Sequence, residues 1–534
     1  MNREALLHSL QTQTFDILIV GGGATGAGIL LDATTRGLKA ALVERGDFAC
    51  GTSSRSTKLL HGGVRYLERA VLDLDRGQYD LVKEALQERA ILLKIAPHLA
   101  RHLALLTPLY SRLEVPYYLT GLKMYDWLAN DDQTPKSRYV SPSLAMQHCP
   151  MLRSEGLRGG VIYYDGQFDD ARMNISILLR AVELGAAAAN YTGVTALTKE
   201  AGKITGVDAI DHLTGQTFQI RARAVINATG PEADALRHLD DATLEPMMRA
   251  SSGAHIVLDR KFAPSEMGLL IPKTEDERVL FLLPWMGHTL VGTTDNPAAV
   301  EPNPQATDRD VQYILRQLAK YFSIEVKPSD VRSRWSGLRP LVQPGASVST
   351  AKISREHTIE HLPSGLLTIA GGKWTTYRRM ALETVDEAIR VHGFKPPRAS
   401  QTETVHVAGG AGYDAQLALR LHENYGLALT SCKHLCLSYG DRAERICELA
   451  QKQGFRALIP DAPYLEAEVA YAALFESARA SIDVVARRMR LAFVNEKAAR
   501  LAFGRVQETL SETLGWDEKQ RQADRQRFEA YYQR

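Results

Sequence analysis

Residues 15–44 read FDILIVGGGATGAGILLDATTRGLKAALVE. FDILIV is a short, unbroken apolar run, the composition of a strand buried on both faces of a parallel sheet. GGGATGAG follows it and opens a helix, and LKAALVE returns as a second apolar strand, which is the spacing of a βαβ unit. Gly21, Gly23 and Gly26 fit G-x-G-x-x-G. The motif is weak alone, but here it lies between a strand and a helix, and Glu44 ends the next strand. Gly21 permits the tight turn, Gly23 lets a pyrophosphate approach the backbone, and Gly26 lets helix and strand pack closely. The helix N-terminus offers unpaired N–H groups and a partial positive charge to phosphate. Glu44 can accept hydrogen bonds from ribose hydroxyls and disfavours a 2′-phosphate, so NADP is not expected. The plain alternative is a glycine-rich turn without a ligand.

Working outward, the fingerprint sits near the N-terminus and is followed by CGTSSRSTKLLHGG. Thr52, Ser53, Ser54, Ser56, Thr57 and Lys58 supply donors suited to a ribityl chain and pyrophosphate, a feature that tips the choice from NAD toward FAD. A polar loop that caps a helix is the other reading. Further strand-like runs occur at residues 161–164, 224–230, 255–259, 279–285 and 366–372, with helical patterns between them. The expected class is therefore α/β. Residues 392–405, HGFKPPRASQTETV, read as a linker or domain boundary. Beyond it the pattern is helical and charged. The expected organisation is residues 1–395 as nucleotide and substrate domains and residues 396–534 as a helical domain.

Composition adds limits. A chain of 534 residues has room for two to four domains. A net charge of +2 gives no global field for nucleic acid. Cys50, Cys149, Cys432, Cys436 and Cys447 are odd in number and form no CxxC pair, which fits reduced thiols. No calcium-binding EF-hand loop occurs, and no metal site is expected. MNREALLHSLQTQTF lacks a secretory apolar core and is not Arg-rich. No apolar stretch approaches the ~18 residues of a membrane span. The chain reads as soluble or bound to a membrane surface.

Longer strings carry a resemblance. They are GGGATGAG (21–28), ALVERGDFACGTSSRSTKLLHGGVRYLE (41–68), MYDWL (124–128), YYDGQFDDARMN (163–174), VINATGP (225–231), HIVL (255–258) and FLLPW (281–285). VGTTD (291–295), WSGLRPLV (335–342), ISREHTIE (353–360), AGGKWTTYR (370–378), YLEAEVAYA (464–472) and ARRMRLAFVN (486–495) continue the series. Together they resemble the FAD-dependent glycerol-3-phosphate dehydrogenases, within the D-amino-acid-oxidase-like flavoproteins. The resemblance leans to the mitochondrial type, without its EF-hands and transit segment, which suggests a bacterial origin. It implies a Rossmann-like FAD domain interleaved with a mixed-sheet substrate domain, and an all-α C-terminal domain. It implies oxidation of sn-glycerol 3-phosphate to dihydroxyacetone phosphate by hydride transfer to FAD, with membrane quinone as the next acceptor. A homodimeric, peripheral membrane protein at the cytoplasmic face of the bacterial inner membrane is expected, with the mitochondrial inner membrane as the alternative.

The same resemblance assigns residues. His255 is the leading base, since imidazole titrates near neutrality. Arg339 and Lys373 complete the catalytic set. Arg339 stands near the C2 oxygen, and Lys373 supplies positive charge beside the reduced flavin. Arg65 and Arg355 are expected at the phosphate, where a guanidinium donates two parallel hydrogen bonds; Tyr66 and Thr293 join them. FAD is expected to meet Gly21, Gly23, Thr25, Gly26, Glu44, Arg45, Thr52, Ser53, Lys58, Leu59, His61, Val194, Gly230, Gly372 and Thr375. From residue type alone, His255 reads sooner as a satisfied strand histidine, each arginine as half of a surface ion pair, and Lys373 as a solvated strand end; the resemblance reverses that order for His255. Two segments suit a membrane surface: LEVPYYLTGLKMYDWLA (113–129), rich in interfacial aromatics, and SIDVVARRMRLAFV (481–494), with Arg487, Arg488 and Arg490 among apolar residues. A packed helix with a solvated face is the alternative for both.

Overall fold

The protein is described from a computed structural model that covers residues 1–63, 75–129, 134–263, 265–343 and 357–533. The apolar run at the start of the fingerprint forms the strand Thr14–Val20. It pairs in parallel with Ala40–Val43 on one side and Thr217–Asn227 on the other. Because successive side chains alternate, Ile17 and Ile19 enter one core and Leu18 and Val20 the other. Helix Ala24–Thr35 covers the first face, packed with Ile177 and Leu178 of Asp170–Glu183 and with Tyr377 and Val385 of Tyr377–His392. Each such apolar side chain stabilises by ~1.5–3 kcal/mol when fully buried, which locates this sheet firmly. Leu367–Gly371 extends it in parallel, and the antiparallel hairpin Thr192–Glu200 and Lys203–Asp211 folds over from Thr217–Asn227.

A second sheet is mixed. Met248–Asp259 lies antiparallel to His288–Gly292 and to Val331–Val342. Ala100–Leu109 pairs antiparallel with Gly159–Phe168 and parallel with Gly268–Ile271. The chain visits the two sheets alternately, returning to the first at residues 187–227 and again at 357–371. This is the interleaved α/β architecture expected from the sequence, and the last region is helical, from Leu417–Tyr425 to Glu518–Tyr531.

The stretch 392–405, expected as a linker or domain boundary, is tied by hydrogen bonds to the helices Ala24–Thr35 and Tyr377–His392. Gly393 ends its helix in the left-handed conformation, with φ of 65°. Ser400 Oγ then donates to Asp32 Oδ1 at 2.5 Å, and Arg378 Nη1 donates to Thr402 Oγ1 at 3.3 Å.

The segment 481–494 is not a lipid-facing helix. It is a π-helical turn, Asp483–Arg488, followed by Arg490 at φ 65° and the short helix Leu491–Val494. Arg487, Arg488 and Arg490 are all buried. Arg488 donates twice to Asp47, at 2.7 and 2.9 Å, and Arg487 bridges Asp47 and Asp483, both at 2.5 Å. These arginines hold the helical region to the nucleotide half. No local pattern could show this, because the partner carboxylate lies some 440 positions away in the chain.

Residues 114–129 do form a surface helix, Glu114–Ala129. Leu122, Tyr125 and Leu128 face inward, while Leu113 (83%), Tyr117 (46%) and Trp127 (70%) are exposed. No helix among the described residues is long and apolar enough to cross a membrane.

Candidate functional site

At the carboxyl ends of the first sheet's parallel strands lies a cavity of about 710 Å³. That falls in the ~300–1,000 Å³ range of small-molecule and cofactor pockets. The fingerprint forms one wall. Gly21 has φ +113°, and a Cβ there would sit 2.5 Å from Ala228 O. A Cβ on Gly23 would lie 2.9 Å from Ser53 Oγ, in the space the backbone leaves open. Ser53 Oγ accepts from Ala24 N at 2.9 Å, at the first turn of the helix whose N-terminus faces the cavity.

Glu44 accepts from Gly22 N at 2.7 Å and Gly46 N at 2.8 Å. Its burial raises the carboxyl above the ordinary range, while these two N–H groups pull the other way. The opposite wall is Gly371, Gly372, Lys373 and Trp374, where both glycines have φ near +80° (83° and 78°). The Trp374 indole N–H donates to Ser53 O at 2.9 Å and joins the two walls.

Of the residues expected at the cofactor, Gly21, Gly23, Thr25, Glu44, Arg45, Thr52, Ser53, Val194, Gly230 and Gly372 line this cavity, and so does Lys373. Gly26 is set back, where a Cβ would strike Gly21 O at 1.9 Å; its place is helix–strand packing. Gly26→Val is therefore expected to lose most of its flavin, as read from the flavin-to-protein absorbance ratio after purification. A full complement would refute the packing role. Leu59 is buried among the second sheet's apolar residues, and His61 N donates to Thr375 Oγ1 at 3.3 Å behind Lys373 and Trp374.

Lys58 needs correction. Its side chain is wholly buried away from the cavity lining, where its ammonium donates to Asp170 Oδ2 at 2.7 Å, Ser56 O at 2.9 Å and Ser54 O at 3.0 Å. An ammonium anchored by three oxygens is not the cofactor donor expected from the polar run.

The second sheet brings His255, Arg339 and Thr293 together. Arg339 Nη2 donates to Thr293 Oγ1 at 3.1 Å and Thr294 O at 2.9 Å. Its Nη1 reaches Asp295 Oδ1 at 3.2 Å and Ser251 Oγ at 3.3 Å. Leu338 and Pro340, its neighbours on the strand, line the cavity. His255 is 2% exposed and faces Thr57 Oγ1 through Nε2 at 3.0 Å. Burial, with Lys58 and Arg339 nearby, lowers the imidazole well below its usual pKa, so it stands neutral at physiological pH. Glycines make the room. A Cβ on Gly292, directly across the ladder, would sit 2.2 Å from the His255 ring, and one on Gly253 would lie 2.5 Å from Arg339 Nη2.

Arg65, Tyr66 and Arg355 lie outside the described residues. Trp335, stacked on His255 at 4.2 Å, and Thr57 are contacts that residue-by-residue reading missed. Strand alternation could have found the first, since Trp335 and Arg339 share one face of Val331–Val342. Thr57 reads locally only as one donor of the polar run, and nothing local pairs it with His255.

Comparison with known proteins fits this geometry. Residues 16–378 match the family of FAD dependent oxidoreductases, and residues 400–521 match the C-terminal domain of alpha-glycerophosphate oxidase. The mitochondrial glycerol-3-phosphate dehydrogenase of Macaca fascicularis is 46% identical, covering 100% of this chain and 75% of that protein. The Arabidopsis thaliana mitochondrial enzyme is 42% identical over 99% of this chain and 87% of its own length. Among solved structures, the glycerol-3-phosphate dehydrogenase from Bacillus halodurans complexed with FAD superposes with a TM-score of 0.81, at 29% identity, over 99% of this chain and 96% of that one. The relatives from Macaca fascicularis, Mus musculus, Homo sapiens and Arabidopsis thaliana are all named mitochondrial, which overturns the expected bacterial inner membrane in favour of its alternative. With a glycine-cradled cavity in the first sheet and a buried histidine and arginine in the second, this chain belongs to the FAD-dependent glycerol-3-phosphate dehydrogenases.

Proposed function

We propose that this chain oxidises sn-glycerol 3-phosphate to dihydroxyacetone phosphate and passes the electrons to membrane quinone. The observation that carries the reading is the neutral, buried His255 on a strand directly beside the one holding Arg339. FAD, when bound along the glycine-lined cavity, would supply the acceptor for the hydride of C2. His255 takes the C2 hydroxyl proton, which requires its neutral form. Arg339, braced by Thr293, Thr294 and Asp295, holds positive charge where alkoxide character develops. Lys373 adds a cation at the cavity wall. Arg65 and Arg355, with Tyr66, grip the phosphate. The reading keeps residues 1–395 as the interleaved cofactor and substrate domains and 396–534 as the helical domain. It places the protein as a homodimer on the mitochondrial inner membrane, with the exposed face of Glu114–Ala129 as the lipid contact.

The deciding experiment is anaerobic. Adding sn-glycerol 3-phosphate to the FAD-loaded protein should bleach the flavin absorbance rapidly, whereas glycerol should not. Reoxidation by a soluble quinone analogue should outpace reoxidation by oxygen. No bleaching would sink the substrate assignment. Faster reoxidation by oxygen would favour a second reading, an oxidase, to which the match of residues 400–521 lends support. Arg339→Lys keeps a charge but not the braced planar fork, and it is expected to lower kcat/KM by ~10²-fold. Wild-type kinetics in that variant would remove Arg339 from the reacting centre.

A further inference from the structure

Beside His255 lies a closed aromatic box around two buried cations. The Lys58 ammonium is 4.5 Å from the ring centre of Trp335, 5.4 Å from that of Trp285 and 5.8 Å from that of Phe493. The Arg490 guanidinium is 4.4 Å from Phe493 and 5.6 Å from Trp285. Both side chains are fully buried. One carboxylate stands between them: Asp170 takes Lys58 on Oδ2 at 2.7 Å and Arg490 on Oδ1 at 3.0 Å. Arg490 also lies 3.4 Å from Asp169 Oδ1 and donates to Ser54 O at 2.8 Å. The Trp335 indole that Lys58 touches is the one stacked on His255, with ring centres 4.2 Å apart and planes within 17°. Phe493 meets the same indole edge-on at 5.1 Å.

Burying two cations is costly unless they are paired and their surroundings stabilise them. A cation over an indole face is attracted to it, more strongly when desolvated, and the attraction holds both groups in place. We propose that Lys58, anchored through Asp170 to Arg490 of the helical region, is a positioning residue for His255: it clamps the Trp335 indole against which the imidazole lies. The proposal rests on the reading of His255 as the base.

The box has an electrostatic consequence. Among the described residues, the charged groups facing His255 are Lys58 on one side and Arg339 on the adjacent strand. Asp170 and Arg490 stand behind Lys58, and Asp295 stands beside Arg339. Both facing groups are cations, so both oppose an imidazolium. Burial draws Lys58 down to about 7 against the pull of Asp170, so it still carries its proton over the more acidic range where His255 titrates. Removing its charge should make His255 easier to protonate.

The test is the rate of flavin reduction by sn-glycerol 3-phosphate against pH, in holoenzyme carrying Lys58→Met or Lys58→Arg. Lys58→Met is expected to slow reduction at least about tenfold, since small misplacement of a reacting group is costly. It should also move the acidic limb of the profile up by roughly one pH unit. Lys58→Arg should return the limb to its wild-type position. A Lys58→Met enzyme that is slower at every pH with an unmoved limb overturns the proposal, as does one with wild-type rates. If Lys58→Met does not fold, Trp335→Phe is read instead. Slowed reduction with full flavin content supports the clamp, and an unchanged rate overturns it. His255→Gln, measured alongside, separates the two readings: if it retains turnover, the base assignment has failed rather than the clamp.

Discussion

His255→Gln is expected to lower turnover by ~10²–10⁴-fold while leaving FAD bound, the span usual for loss of a general base. Glutamine can still meet Thr57 Oγ1, which lies 3.0 Å from the imidazole in the native protein, so the local hydrogen bond has a substitute. What is lost is a group that can take a proton. The pH behaviour follows from the same environment. Burial, reinforced by Lys58 and Arg339, depresses the folded-state pKa of His255 well below 6.5. Turnover should therefore hold as pH falls through the range where an ordinary histidine protonates, and decline only below it. Stability runs in the same direction. Below ~6.5 the unfolded histidine binds a proton that the folded one refuses, so native stability decreases as pH falls from there. Steady-state kinetics on the FAD-loaded variant decide the matter: turnover within threefold of wild type across pH would remove His255 as the base.

The second large effect is expected far from the reacting centre. Asp47→Ala should destabilise the protein by ~3–5 kcal/mol, because it leaves Arg487 and Arg488 buried without their shared carboxylate. Burial alone would push Asp47 up, but Arg488 and Arg487 outweigh it and bring it down to about 2. Its folded pKa lies below the ordinary 3.8, so the stability it confers is complete above that value and is lost as pH falls toward 2. Asp47 also accepts from Asn190 Nδ2 at 3.0 Å, and Asp483 receives Tyr191 Oη at 2.7 Å, so the turn between Ala187–Ala189 and Thr192–Glu200 is tied to the same cluster. Denaturant unfolding of the holoprotein, followed by circular dichroism and flavin release, measures it. A change under 1 kcal/mol would mean that water or a shifted side chain replaces the pairing.

Some of this molecule is written in short stretches of chain. The apolar run of residues 15–20, three glycines at fixed spacing and an acidic residue at position 44 specify a strand, turn, helix and strand whose parts are neighbours in sequence. Local sterics and hydrogen bonding set that geometry, so reading it needs no tertiary information, and the cavity wall follows from it. The α/β class and the helical character beyond residue 400 are legible for the same reason, since periodicity is a local property.

The rest was decided by packing across large separations. Arg487, Arg488 and Arg490 have the spacing of a basic surface helix, yet lie buried because Asp47 and Asp170 meet them from some 440 and 320 residues away. Lys58 has the type and position of a phosphate donor, yet a carboxylate 112 residues on and three distant aromatics claim its ammonium. His255 meets Trp335 and Thr57 only in the fold, and nothing near it in the chain names either partner. A charged or titratable side chain takes its role from its partners, and only the tertiary fold supplies partners that the chain keeps hundreds of residues apart.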